Sequence, residues 1–176
     1  LDSATGSLHR IRQLIESSAN GTQGSTEMEA NKKEIMSEIG GIVDALNTNF
    51  DGRYIFGGKN TKTPPFEMVK DSDGDIIEIK YNGTKDTIEA DGRLTKNNGN
   101  LPRVIANGVT VDLISDGRLF LNEKGSYSDP DNLSSFFSDI IKATNSDDKE
   151  KLSGDLLKKI DSHTENFVNI RAQIGT

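Results

Sequence analysis

The sequence predicts an α+β fold: an elongated antiparallel helical rod or bundle carrying an inserted small antiparallel β domain. Apolar residues recur at helical spacing toward both ends of the 176-residue chain and lose that period in the middle. The middle instead alternates short β-type runs with Asn-Gly and Asp-Gly dipeptides, which favour the φ > 0 conformations of tight hairpin turns. The chain is 32% hydrophobic, 28% charged and only 6% aromatic, without Trp. That composition suits a modest core spread along a rod better than the deep core of a compact enzyme.

Leu8, Ile11, Leu14 and Ile15 predict a first helix over roughly residues 3–18. The Gly-rich stretch Ala19 to Ser25 reads as a loop. A second helix is expected from Ser25 to Asn49, about 37 Å long at 1.5 Å per residue, with Thr26 and Glu29 placed as a capping box. Its apolar positions Ile35, Ile39, Ile42 and Leu46 make a narrow seam, as in helices that pack side by side. Gly40-Gly41 within it would permit close helix approach at some cost in helix stability.

The stretch LNTNFDGRYIFGGKNTKTPPF, Leu46 to Phe66, breaks this rhythm. Asp51-Gly52 is expected to end the helix, since Gly readily takes the left-handed C-terminal conformation. Tyr54, Ile55 and Phe56 would anchor the departing strand, while Gly57-Gly58 and Pro64-Pro65 turn and stiffen the connection. The segment is thus expected to be the joint between two domains.

Beyond it, the runs FEMVK, DIIEIKY, RVIA, VTVDLI and RLFLN lie between Asp73-Gly74, Asn82-Gly83, Asp91-Gly92, Asn98-Gly99, Asn107-Gly108 and Asp116-Gly117. RVIANGVTV carries the strongest hairpin signal. Helical period returns with Asp129 as the expected N-cap and Pro130 at the first helical position. Leu133, Phe136, Phe137, Ile140 and Ile141 then form one broad apolar face. A last helix is expected over residues 147–174, its start favoured by Asp147, Asp148 and Glu150. Leu152, Leu156, Ile160, His163, Phe167, Ile170 and Ile174 make a second narrow seam. The two seamed helices match in length and are expected to pair as a rod. The helical domain would comprise residues 1–58 plus 128–176, and the inserted β domain residues 59–127.

The formal net charge is −7, and no long basic cluster is present, so nucleic acid is not an expected partner. There is no cysteine, which excludes thiolate nucleophiles, thiolate metal sites and disulfides. No apolar run approaches the 18 or so residues that a membrane helix needs, so no membrane insertion is expected. Leu1 opens without a start and NIRAQIGT ends without a helix cap; the chain is expected to be a fragment.

No constellation points to catalysis, to a metal or to any cofactor. Asp71, Asp73 and Asp75 mimic the start of a calcium loop. Their Gly, however, stands at position 4 rather than 6, and position 12 is Asn82 rather than Glu. A solvated hairpin turn fits better. His9 and His163 lack a second ligand at metal spacing. No nucleophile elbow, phosphate loop or dinucleotide fingerprint occurs. The amphipathic stretch Leu8 to Ser17, with Arg10 and Arg12 beside its apolar stripe, reads either as a packed helix with a solvated basic face or as a surface that meets another protein.

LHRIRQLIESSANGT, followed by a helix ending LNTNFDGRYIFGG, resembles the first rod segment of the bacterial flagellin superfamily. DGRYIFGGKNTKTPPF is similar to one branch, hook-associated protein 3 of the hook–filament junction, and ENFVNIRAQIGT resembles the returning C-terminal rod helix. The resemblance covers both helical arms and is looser over the β insert. It implies a flagellin D1-like rod and a structural adaptor, not an enzyme, with the terminal coiled-coil segments of the family lying outside this chain. It implies an extracellular place on the flagellum, reached through the flagellar type III channel without a cleaved signal. The implied partners are other copies of the chain in a ring, a hook-end junction protein of the hook-associated protein 1 type, flagellin, and an export chaperone bound through segments not in this chain. The stretch Arg10, Ile11, Arg12, Gln13 and Leu14 would be an axial packing surface. In some flagellins the corresponding stretch is read by an innate immune receptor, but Gln13 here replaces the usual Glu. Two alternatives are a filament-forming flagellin, although flagellins usually lack the YIFGG exit motif, and a ligand-binding or adhesive protein using the β insert.

Overall fold

A computed structural model of the chain describes residues 1–22, 24–58, 60–83, 101–113, 116–122 and 129–174; for residues 101–105 and 109–113 only the backbone is described. Helix α1 spans Asp2–Ala19 and buries Ala4, Leu8, Ile11, Leu14 and Ile15. Helix α2 spans Ser25–Leu46, about 33 Å at the standard rise, and buries Met28, Ile35, Ile39, Ile42, Val43 and Leu46. Its N-cap is Gly24, with no side-chain cap, so the expected Thr26/Glu29 box is not formed; both residues already lie inside the helix, at its second and fifth positions. Gly40 and Gly41 have room for a Cβ, which would lie 3.9 Å from Met68 and 3.5 Å from Ser7. Close helix approach therefore does not require them.

The chain then forms a small hairpin, β1 (Asn49–Phe50) with β2 (Arg53–Tyr54). Asp51 and Gly52 are its two-residue turn, with φ of 53° and 78°. This corrects the expectation that they end α2, which stops at Leu46 with Asn47 as its C-cap. Positive φ at both central residues matches the right-handed twist of the flanking strands, and Asp-Gly tolerates it.

Strands β3 (Phe66–Lys70) and β4 (Ile76–Tyr81) form a second antiparallel hairpin with a register shift at Val69/Lys70. Phe66, Ile76, Ile79 and Tyr81 point into the core. The hairpin packs mainly on α3 (Leu133–Asn145) and also on α2. Strands β5 (Leu101–Ala106) and β6 (Val109–Leu113) pair across Asn107-Gly108, where Gly108 has φ of 77°; this is the hairpin read in RVIANGVTV. The expected turns Asp91-Gly92 and Asn98-Gly99 lie outside the described residues. RLFLN contributes not a strand but a 3-10 turn, Gly117–Phe120, because the Asp116 carboxylate accepts the Arg118 backbone N–H and caps it.

The N-cap of α3 is Asn132, whose side chain accepts from Ser135 N–H at 3.0 Å. Asp129, the expected cap, instead accepts from Asp131 N–H in the preceding turn. The expected last helix is two: α4 (Lys149–Ser153), capped by Asp148, and α5 (Asp155–Ile174). Gly154 interrupts them with φ of −105° and ψ of −90°.

The seam residues of the two long helices are buried except for Ile174, but α2 and α5 do not pair substantially with each other. Helix α1 packs along both α2 and α5, and the other helical neighbour of α2 is α3. An apolar face as wide as that of α1 can serve two neighbours at once. Arg10–Glu34 joins α1 to α2, Arg12–Asp161 joins it to α5, and Asp2–Arg171 brings the start of α1 beside the end of α5. Asn31 of α2 also donates to Ser17 of α1, so positions run in opposite directions in both pairs and both are antiparallel. One contiguous hydrophobic core includes the helices together with Phe56, Phe66, Ile76, Ile79, Tyr81, Phe120 and Leu121. It crosses the domain boundaries expected at residues 58/59 and 127/128.

Candidate functional site

Two regions carry the residues singled out in the sequence: the joint after α2 and the outer face of α1. In the joint, Tyr54 is half-buried and Ile55 exposed, while Phe56, Gly57 and Gly58 are buried. Phe56 stacks edge-on against Phe120 at 4.9 Å between ring centres, and Phe120 against Phe167 of α5 at 5.0 Å. Its carbonyl accepts from Gly117 N–H at 2.9 Å and from the Tyr81 hydroxyl at 3.3 Å. Gly57 forms an isolated antiparallel bridge with Asp116. A Cβ at Gly117 would sit 2.5 Å from the Phe56 carbonyl and 2.7 Å from the Phe66 ring; only glycine fits there.

At the centre of this knot, Asp116 and Arg118 are buried together. Arg118 donates from Nε to Oδ1 at 3.0 Å and from Nη2 to Oδ2 at 2.6 Å, a two-point pair. The guanidinium lies 6.0 Å from the centre of the Tyr81 ring. Burial, followed by the nearby Asp116 charge, pushes the Tyr81 hydroxyl well above its ordinary range, so Tyr81 stays neutral and donates. The start of β3 is pinned by Asn47: its Nδ2 donates to the Phe66 carbonyl and its Oδ1 accepts the Phe66 N–H, both at 2.8 Å. Ser134 accepts the Ile79 N–H at 2.8 Å, fastening β4 to α3.

On α1, the expected contact stretch divides by face. Ile11 and Leu14 are buried within this chain, whereas Arg10 and Gln13 are exposed and Arg12 is half-exposed. Arg10 donates to Glu34 and to Gln13. Arg12 donates to Asp161 and also pairs with Glu16. The surface is thus a strip of opposed charges running from α2 across α1 to α5. Of the seam residues, Ile35, Ile39, Ile42, Leu46, Ile160 and Phe167 are fully buried and Ile170 nearly so, but Ile174 is 42% exposed.

The Asp71 carboxylate accepts from Asp73 N–H and Asp75 N–H. Asp75 pairs with Lys32 at 3.1 Å and accepts from Asn145 at 2.8 Å. The Asp71 carboxylate thus holds the β3–β4 turn, and the Asp75 carboxylate ties it to α2 and α3. Among the described residues no helix is long and apolar enough to cross a membrane. His163 lies against the Phe136 ring at 5.1 Å, and burial pushes its imidazole down to about 4, with Asp131 opposing.

Sequence reasoning missed Asn47, Ser134, Tyr81 and the Asp116–Arg118 pair. Asn47 carried a faint signal as the first polar residue after the seam. Asp116-Gly117-Arg118 repeats the tripeptide at Asp51-Gly52-Arg53 but takes another backbone, with Asp116 at φ −83° where Asp51 has φ 53°, and is buried where the first copy is exposed.

The described elements define a class of fold, an α+β body that opens on a pair of long helices. Residues 1–61 match the family described as bacterial flagellin N-terminal helical region. The whole chain is similar in shape to a structure described as a putative flagellar hook-associated protein from Vibrio parahaemolyticus: TM-score 0.74, 20% identity, covering 99% of this chain and 69% of that one. It is similar also to FlgL of Bacillus cereus, with TM-score 0.68 and 21% identity, covering 99% of this chain and 71% of that one. These likenesses establish the fold. No curated protein matches the chain significantly.

Proposed function

We propose that this chain is a structural subunit of the bacterial flagellum, of the flagellin superfamily, and that it acts as an adaptor between hook and filament. The observation that carries the reading is a flagellin N-terminal helical region over residues 1–61, set on a fold shared with a hook-associated protein structure. Its work is done by surfaces. The exposed heads of Arg10, Arg12 and Gln13 serve a neighbouring copy in a ring. The hook-end junction protein and flagellin meet the assembly on its two sides, and an export chaperone serves its passage to the cell exterior. No reaction is assigned to it.

Complementation in a motile bacterium tests this. Deleting the gene is expected to leave hooks intact while unpolymerised flagellin is shed into the medium; loss of flagellin itself would instead mark a filament subunit. Full-length protein carrying Arg10→Glu and Arg12→Glu is expected to be secreted but to seed no filaments. Because each reversal also strips an intrachain ion pair, Glu34→Arg and Asp161→Arg are added in a second variant. If these restore filaments, the arginines act through the fold and not through a neighbour.

A further inference from the structure

Three Asn-Gly pairs fall among the described residues: Asn20-Gly21, Asn82-Gly83 and Asn107-Gly108. Glycine leaves its backbone nitrogen sterically open and its own dihedrals free, so that nitrogen can approach the preceding side-chain amide. The structure treats the three pairs differently. Asn82 is locked: its N–H donates to the Pro65 carbonyl at 2.7 Å and its Nδ2 to Glu67 at 3.1 Å, and Gly83 is buried beside Tyr81. Asn107 is exposed, but it forms the two-residue link between β5 and β6, whose pairing through Ala106 and Val109 holds it on both sides.

Asn20 is exposed, one residue beyond α1, with an extended backbone. Its Oδ1 accepts both the N–H and the hydroxyl of Thr22, each at 3.0 Å. A backbone N–H can only donate, so it is the amide oxygen, not the nitrogen, that faces Thr22. Attack at Cγ would place negative charge on that oxygen. Two donors aimed where charge develops are the working parts of an oxyanion hole, here supplied by the next residue but one.

We propose that Asn20 is a site of self-modification, converted by its own neighbours. The Gly21 nitrogen attacks Asn20 Cγ; the N–Cγ bond forms and the Cγ–Nδ2 bond breaks. The Gly21 amide proton leaves with the side-chain nitrogen as ammonia, and a five-membered cyclic imide remains. Water then opens either imide carbonyl, giving an aspartate or an isoaspartate at position 20. No electron is transferred and no co-reactant beyond water is needed. The product is a carboxylate just past the C-terminal end of α1, where the last turn holds no basic residue and the helix dipole disfavours an anion. The isoaspartate form also adds a methylene to the backbone of the α1–α2 loop. Conversion therefore loosens that end of the helix pair as the protein ages.

The test is incubation of the purified chain at mildly alkaline pH, followed by peptide mapping and isoaspartyl methyltransferase labelling. Of the three described pairs, position 20 is expected to convert first, position 107 more slowly, and position 82 to stay intact while the protein is folded. Thr22→Val keeps the backbone donor and removes the hydroxyl. It should slow position 20 by roughly three- to tenfold, less than for an enclosed oxyanion hole because the loop is exposed. Position 107 serves as the internal clock, and Thr22→Ser should keep the original rate. Conversion at position 107 ahead of position 20, or an unchanged rate in Thr22→Val, would overturn the proposal.

Discussion

Asn47 does for the first residue of β3 what a neighbouring strand would do, giving and taking one hydrogen bond with Phe66. Replacing it by Ala leaves a backbone donor and acceptor without partners, at roughly 1–3 kcal/mol for each that stays buried. Asn47→Ala is therefore expected to lower the denaturation midpoint in urea, and Asn47→Asp to lose only the donated half. An unchanged midpoint in both would remove Asn47 from the joint. Asp116→Ala strips the partner from a buried guanidinium, an effect of about 3–5 kcal/mol, whereas Asp51→Ala in the exposed copy is expected to cost only the roughly 1–2 kcal/mol of holding Ala at positive φ. Comparing the two by thermal melting checks that environment, not the tripeptide, sets the effect. This is also where legibility ended at the residue scale: Asp-Gly marked both turns, but nothing local says which arginine will be enclosed. His163 supplies a pH signature. Its folded pKa near 4 lies below the ordinary value of 6.5, so between these values the unfolded chain binds a proton that the folded one refuses. Stability is complete above about pH 6.5 and is lost as pH falls toward 4, by up to about 3 kcal/mol. The groups facing the imidazole are Asp131, Asp129 and Lys159. His163→Leu is expected to flatten the slope between pH 6.5 and 4 relative to the parent, with the other titrating groups common to both proteins.

At the scale of elements, helical period read the sequence well. The apolar stripes read for α1 (Leu8, Ile11, Leu14, Ile15), α2 (Ile35, Ile39, Ile42, Leu46) and α3 (Leu133, Phe136, Phe137, Ile140, Ile141) are all buried, because a stripe at helical spacing has no favourable place except a core. Helix ends and partners were less legible. In SDPDN several residues can cap, and Asn132 does so because it immediately precedes the first apolar position, Leu133. The break at Gly154 was hidden because the apolar spacing runs through it unchanged. Gly40-Gly41 shows the opposite error, in which a sequence feature suggested a packing need that the structure does not have. Gly41 is exposed and its Cβ would meet only Ser7 Oγ at ordinary contact. Gly41→Ala should therefore stabilise α2 by about 0.5–1 kcal/mol, raising the melting temperature. A fall in melting temperature would show that the two helices need the space after all.

At the scale of the molecule, the question is whether the hairpin β3–β4 belongs to the helical body or to a separate unit. The sequence places a boundary after residue 58 because helical period is lost from Asp51 onward and the joint ending in Gly57-Gly58 follows. Loss of period reports a change of secondary structure and carries no information on which core the next element joins. The core itself is continuous: Phe56, Phe120 and Phe167 form an aromatic chain from the joint to α5. Phe66, Ile76, Ile79 and Tyr81 of the hairpin lie in the same buried cluster as the helices. Elements that share one core and are fastened by polar contacts, here the buried Ser134 and the half-buried Asn47, open together. Backbone amides of Phe66 and Ile79 are therefore expected to exchange hydrogen only through the global opening, with the same free energy as amides of α1 and α5. Phe120→Ala, which removes the middle ring, should cost about 3–5 kcal/mol and lower protection in the hairpin and in α5 by equal amounts. Hydrogen exchange read by mass spectrometry distinguishes the outcomes. If the hairpin exchanges well before the helices in the parent chain, or if Phe120→Ala lowers protection on one side only, the body consists of two units and the boundary read from the sequence stands.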